Sequence, residues 1–85
     1  MTWTVLVASG ARKQLARLPS SDRKRIAVVL RSMAEDPFSG DILKLHGMED
    51  RWRRRAGNYR VFFAVDAAAK TISVSAIARR TSTTY

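Results

Sequence analysis

Residues 51–66 read Arg-Trp-Arg-Arg-Arg-Ala-Gly-Asn-Tyr-Arg-Val-Phe-Phe-Ala-Val-Asp, and this stretch decides the fold. Gly57-Asn58 is a two-residue turn signal of the kind that joins antiparallel strands. The runs on either side, Arg51–Ala56 and Tyr59–Asp66, read as strands, so successive side chains go to opposite faces of a sheet. Tyr59, Val61, Phe63 and Val65 share the face that packs on a core, and Arg60 and Phe62 take the other. In the first run Trp52 faces the core, so Arg51, Arg53 and Arg55 stand opposite it. Parity sends Arg54 to the core side, which is read as an edge position with the stem packed and the head in water.

Downstream, Ala67–Lys70 makes a second turn and Thr71–Ala78 a third strand. Ile72 and Val74 share a parity that Ile77 breaks, which predicts a bulge near Ser75-Ala76. The bulge returns Ile77 to the core and turns Arg80 outward, so one strip of open sheet carries Arg53, Arg55, Arg60 and Arg80. Upstream, residues 2–8 are rich in β-branched and aromatic types and read as a strand. Ser9 is placed as the cap of a short helix with apolar positions Ala11, Leu15 and Leu18, ended by Pro19. Ser20 or Ser21 caps a second helix, whose stripe is Ile26, Val29, Leu30 and Met33, with Arg23, Lys24, Arg25 and Arg31 largely off it. Asp36-Pro37 closes that helix. Residues 38–50, with Gly40 and Gly47, read as an irregular connection. The expectation is an α+β domain of order β-α-α-β-β-β, a helical pair packed on one face of a small, mostly antiparallel twisted sheet. The other face is left open.

The 85 residues make one domain, 1–85, with room for one core. A hydrophobic fraction of 46% is too high for a disordered chain. Without cysteine there is no disulfide scaffold, thiolate metal site or cysteine nucleophile, and a single histidine, His46, argues against a histidine-built zinc site. No metal and no cofactor are expected. No apolar run approaches a membrane span and no leader is evident, so a cytoplasmic location is expected. Sixteen basic and seven acidic residues give a net charge of +9. The excess is local: residues 1–50 hold eight basic and six acidic residues, whereas residues 51–85 hold eight basic and one acidic. Twelve of the sixteen cations are arginine, whose planar fork suits phosphate. Four guanidinium groups on a rigid sheet repel one another unless an anion sits between them, so the strip reads as a phosphate-binding surface. The alternatives are a solvated basic face or a dock for an acidic protein segment.

These residues resemble the RelE/ParE superfamily of toxin–antitoxin toxins, and within it the RelE branch. The resemblance spans nearly the whole chain. It rests on Ala11–Leu18 followed by Pro19, on Pro37 and on Lys44-Leu45-His46-Gly47. It rests above all on Trp52-Arg53-Arg54-Arg55-Ala56-Gly57-Asn58-Tyr59-Arg60, similar to that family's aromatic-basic-x-basic-x-Gly-x-Tyr-Arg hairpin. Ile77-Ala78-Arg79-Arg80 with terminal Tyr85 resembles the closing motif. The resemblance implies a RelE-like, microbial-ribonuclease-type fold and a ribosome-dependent endoribonuclease that cuts mRNA in the A site. It also implies a RelB-like antitoxin that wraps the toxin with an acidic helical segment in a hetero-oligomer. Arg53 and Arg55 stand where RelE enzymes carry two basic hairpin residues, Arg60 follows the hairpin tyrosine, and Arg80 and Tyr85 match the last-strand arginine and the C-terminal tyrosine. Lys44, His46, Arg51 and Arg79 are expected to contact RNA around them.

Metal-independent cleavage needs a base for the 2′-hydroxyl, stabilisation of the charged phosphorane and a proton for the leaving 5′-oxygen. Arginine serves the second need and not the first, because its pKa is about 12.5–13.8. Some RelE enzymes carry lysine at the Arg53 and Arg55 positions, so the base is the departure here. Tyr85, His46, Glu49, Asp50 and a ribosomal group are its candidates. Catalysis is expected to be chiefly electrostatic, with Arg53, Arg60 and Arg80 around the phosphate. Two rivals keep the fold: a ParE-type toxin that inhibits DNA gyrase without cutting RNA, and an inactive basic nucleic-acid-binding relative. A membrane-surface role is not expected, since the charge lies on strands.

Overall fold

In the computed structural model, which describes residues 3–47 and 50–79, the chain runs β1 (Thr4–Val7), α1 (Ser9–Ala16), α2 (Ser20–Glu35), β2 (Ile42–Lys44), β3 (Arg51–Ala56), β4 (Tyr59–Asp66) and β5 (Thr71–Arg79). The sheet order is β1-β5-β4-β3-β2. β1 runs parallel to β5, and every other pair is antiparallel. Gly57 takes a φ of +61°, which the tight turn needs, and the hairpin sets Ala56 opposite Tyr59 and Trp52 opposite Phe63. The bulge falls where the parity break put it: Phe62 pairs with Ala76 and Phe63 with Val74, leaving Ser75 as the extra residue. Ile77 thereby returns to the core, 3% exposed.

The core is Ile26 and Met33 from α2, Ala11 from α1, and Val61, Phe63, Ile72, Val74 and Ile77 from the sheet. α1 packs on β5 and α2 on β1 and β3, so both helices cover one face. β1 stops opposite Val74, and α1 covers the edge of β5 beyond it: the Gln14 side-chain oxygen accepts the Ile77 amide at 2.8 Å. No helix among the described residues is long and apolar enough to cross a membrane.

Four local expectations need correction. The 38–50 connection contains the short strand β2, which pairs with β3 and so makes a fifth strand; three residues are too few to announce a period in sequence. Ser9 is the first helical residue rather than the cap, a position held by Ala8 without a side-chain bond. Pro19 occupies the cap position of α2, so Ser20 and Ser21 lie inside its first turn. Its carbonyl accepts the Arg23 amide at 2.9 Å. Finally, two of the arginines placed off the apolar stripe of α2 make specific contacts rather than forming a plain solvated face. Arg23 donates to the carbonyls of Ala16 and Leu18 at 3.5 and 3.3 Å, satisfying groups at the C-terminal end of α1, and the Arg25 side chain lies against Gly57.

One side-chain bond ties α2 to the hairpin. The Tyr59 hydroxyl, on a residue 5% exposed, donates to the Asp22 carboxylate at 3.0 Å. Burial first, then this bond and the Asp22 charge, push the phenol above its ordinary pKa of about 10, against the opposing Arg79 cation. Because the folded value is the higher one, the stabilisation is complete below pH of about 10 and is lost as pH rises through the folded value. The gap in urea midpoint between the natural chain and Tyr59→Phe is therefore expected to be constant at neutral pH and to narrow above about pH 10; a constant gap on the alkaline side contradicts the assignment.

Candidate functional site

The register of the sheet decides which side chains meet on the uncovered face. Arg55 lies directly across from Arg60, and Arg53 across from Phe62 on one side and Leu43 on the other. Residues paired in this way point to the same face, so Arg53, Arg55 and Arg60 come together away from the helices. They line one shallow cavity of about 210 Å³ with Asp41, Ile42 and Leu43. That is below the roughly 300–1,000 Å³ of a small-molecule pocket and suits a charged group on a longer ligand. Arg53 and Arg60 are half-buried and Arg55 is exposed.

Two cations directly opposed on neighbouring strands are destabilising. The Arg55–Arg60 pair is therefore a local cost to the sheet, relieved when an anion enters between the guanidinium groups. Asp41 brings the one carboxylate of the cavity lining. No local signal in the sequence links Asp41 to the hairpin. The link is tertiary: the Arg55 amide donates to the Asp41 carbonyl at 2.9 Å, one residue before β2 pairs with β3.

The remaining expected site residues are placed as follows. Arg51 shares the open face by parity, opposite Ala64, but lies outside the cavity lining. Lys44 does not join the arginines: it pairs with Trp52 on the helix side, its Nζ 5.9 Å from the centre of that ring. Arg79 also turns to the helix side, because the extra residue at Ser75 reverses parity and sets Arg79 opposite Tyr59. His46 is exposed in the turn after β2. Asp50 is exposed, and its carbonyl accepts the Val65 amide at 3.0 Å. Arg80, Tyr85 and Glu49 lie outside the described residues. Arg54 corrects the sequence reading: its head is partly buried and donates to the Ser32 hydroxyl at 2.8 Å, and burial lowers its pKa.

On the opposite side, a wider groove of about 560 Å³ runs between the β1 edge and α2. Trp3, Val5, Val7, Leu30 and Ala34 line it, with Arg31 beside them. Leu30, like Leu15 of α1, is partly buried and packs against the core.

The chain matches, over residues 5–83, the family described as ParE toxin of type II toxin–antitoxin system, parDE. No curated protein matches it. Among solved structures it is similar to a chain of the archaeal RelE–RelB complex from Pyrococcus horikoshii, with 29% identity, 98% of this chain and 100% of that chain covered, and a TM-score of 0.81. The isolated RelE toxin of E. coli is 20% identical, with 95% and 87% covered and a TM-score of 0.82. A YoeB/ParE toxin from Agrobacterium tumefaciens is 18% identical, with 92% and 99% covered and a TM-score of 0.76. The last two likenesses concern the fold.

The cavity's charge leads to a binding prediction. A 2′-O-methylated oligoribonucleotide, which cannot undergo 2′-hydroxyl attack, should bind with an affinity that falls linearly in log–log form with salt. Arg53→Gln should reduce that slope by about 0.7, the value for one lost single-strand phosphate contact. An unchanged slope removes Arg53 from the phosphate surface.

Proposed function

We propose, for a chain that belongs to the ParE toxin family of type II toxin–antitoxin systems within the RelE/ParE superfamily, that the toxic activity is endonucleolytic cleavage of mRNA on the ribosome. The observation that carries this reading is the convergence of Arg53, Arg55 and Arg60 with one carboxylate, Asp41, in a single cavity on the open face. Three arginines and an acidic residue lining one cavity supply the two kinds of group that phosphodiester cleavage uses, charge stabilisation and a proton acceptor.

In the proposed reaction the RNA phosphate sits among the three guanidinium groups, which neutralise the charge that grows on its non-bridging oxygens. The ribosome holds the strand splayed, so that the 2′-oxygen is in line with the P–O5′ bond. The Asp41 carboxylate accepts the 2′-hydroxyl proton as the 2′-oxygen bonds to phosphorus. The P–O5′ bond then breaks, and the 5′-oxygen takes a proton from water. The products are a 2′,3′-cyclic phosphate and a 5′-hydroxyl. Asp41 is preferred to His46 and Asp50 as the proposed base, since it lines the arginine cavity and they do not. Arg80 and Tyr85 stay in the proposed site through the resemblance of the closing motif, Arg80 on the phosphate and Tyr85 stacked on a base. Arg51 and His46 remain proposed as peripheral RNA contacts. Lys44 and Arg79, on the helix side, are proposed to meet RNA only outside the cavity.

The RelE–RelB complex of the archaeal neighbour supports a RelB-like antitoxin as the partner. Its proposed seat is the apolar groove beside Leu30, with Arg31 meeting an acidic residue. The action is proposed to be cytoplasmic, where ribosomes and mRNA are. A second reading, inhibition of DNA gyrase, is favoured by the ParE description of the matching family.

Single-turnover cutting of a defined mRNA on programmed ribosomes tests the site. Arg60→Ala should slow it by about 100-fold or more, as for loss of one oxyanion donor. Asp41→Asn should slow it by about 100- to 10,000-fold, as for loss of a general base. Cutting at the natural rate by Arg60→Ala overturns the phosphate site, and by Asp41→Asn overturns the base.

A further inference from the structure

The residue between the two hairpin arginines has no part in the chemistry above, yet it is the best-held of the group. Arg54 faces the helix side of β3, opposite Ile42 of β2 and Val61 of β4, at a position where an apolar side chain is the default. Its Nη1 donates to the Ser32 hydroxyl at 2.8 Å, in the last turn of α2. That turn has no basic residue of its own, so the guanidinium brings positive charge to the carbonyl end of the helix. On its other side the guanidinium meets the backbone of Gly40. A β-carbon built there would lie 2.8 Å from Arg54 Cζ, and the φ of +81° already disfavours any side chain. The chain after α2 thus lies against a partly buried guanidinium one residue before Asp41.

From there the geometry is short. The Gly40 carbonyl accepts the Ile42 amide at 3.1 Å, and the Asp41 carbonyl accepts the Arg55 amide at 2.9 Å. Asp41 is therefore held between a residue clamped by Arg54 and a strand that carries Arg53 and Arg55 on its far face.

We infer that Arg54 is a positioning residue: by joining Ser32 of α2 to the Gly40 backbone it fixes Asp41 at the rim of the arginine cavity. This rests on the proposed role of Asp41 and deepens it. One strand segment serves two functions by alternation, Arg53 and Arg55 toward the phosphate and Arg54 toward the support of the base. Arginine suits the task where lysine does not, because its fork reaches a hydroxyl while its plane lies against a backbone.

The test compares the natural full-length chain with Arg54→Met and Ser32→Ala in two measurements. Amide hydrogen exchange reads the clamp directly: Arg55, bonded to the Asp41 carbonyl, and Ile42 should exchange at least about 10-fold faster in Arg54→Met, while Val61 and Ile72 keep their protection. Ser32→Ala, which deletes one bond and little volume, should show a smaller change of the same pattern and serves if Arg54→Met does not fold. Cleavage reads the function: Arg54→Met should lower kcat about 10-fold with KM unchanged in the natural background, and cause no further loss in Asp41→Asn. A merely structural role lowers both backgrounds alike. Unchanged Arg55 and Ile42 exchange in both variants overturns the clamp, and equal losses with and without the Asp41 carboxylate overturn the positioning role. A natural chain that cuts no mRNA refutes the nuclease reading and, with it, the link to the base, while the exchange measurement still decides whether Arg54 holds the segment.

Discussion

The register of one hairpin governs this molecule. Gly57 and Asn58 turn the chain in two residues and fix Ala56 against Tyr59, and every later pairing between β3 and β4 follows. A slip of one position on β3 would carry Trp52 and Ala56 to solvent and drive Arg53 and Arg55 into the core. The same register brings Arg55 opposite Arg60. Gly57 cannot be relaxed to another residue without strain, since its φ is +61° and a β-carbon would meet the Arg25 side chain at 2.6 Å. The functional face and the hydrophobic face are two readings of one constraint.

A sheet with helices on one side offers a flat, rigid platform on the other, and here that platform carries like charges in direct opposition. The cost is tolerated because the covered side is well closed: Phe63, Ile26, Met33 and Val61 are at most 1% exposed. The links across layers are specific as well. Gln14 satisfies the Ile77 amide, Tyr59 bonds Asp22, and Arg54 bonds Ser32, so that both helices are tied to the sheet by polar contacts beside the apolar ones. Charge repulsion on one face is thus offset by cohesion on the other.

Much of this was legible in sequence, for a physical reason. Alternation in residues 59–65 and the Gly57-Asn58 turn are local signals, and the broken parity at Ile77 is a local signal of a bulge. They suffice to put Arg53, Arg55 and Arg60 on one face. What sequence did not reveal depends on contacts between distant segments. β2 exists because β3 offers it a partner, and Asp41 is tied to the hairpin through the Arg55 amide. Arg54 was read as an edge residue because nothing local announces Ser32 above it or the bare backbone of Gly40 beside it. Lys44 and Arg79 were assigned with the arginines on motif grounds, and the pairing register sends both to the helix side.

The central claim is that the arginine cavity acts on an RNA phosphate rather than serving as a protein-binding surface. The most direct measurement incubates the purified chain with programmed ribosomes and, in parallel, with DNA gyrase, and identifies the ends of any RNA fragments. The account predicts ribosome-dependent cuts that leave a 2′,3′-cyclic phosphate and a 5′-hydroxyl, with supercoiling by gyrase unimpaired. Intact mRNA together with blocked supercoiling would contradict it.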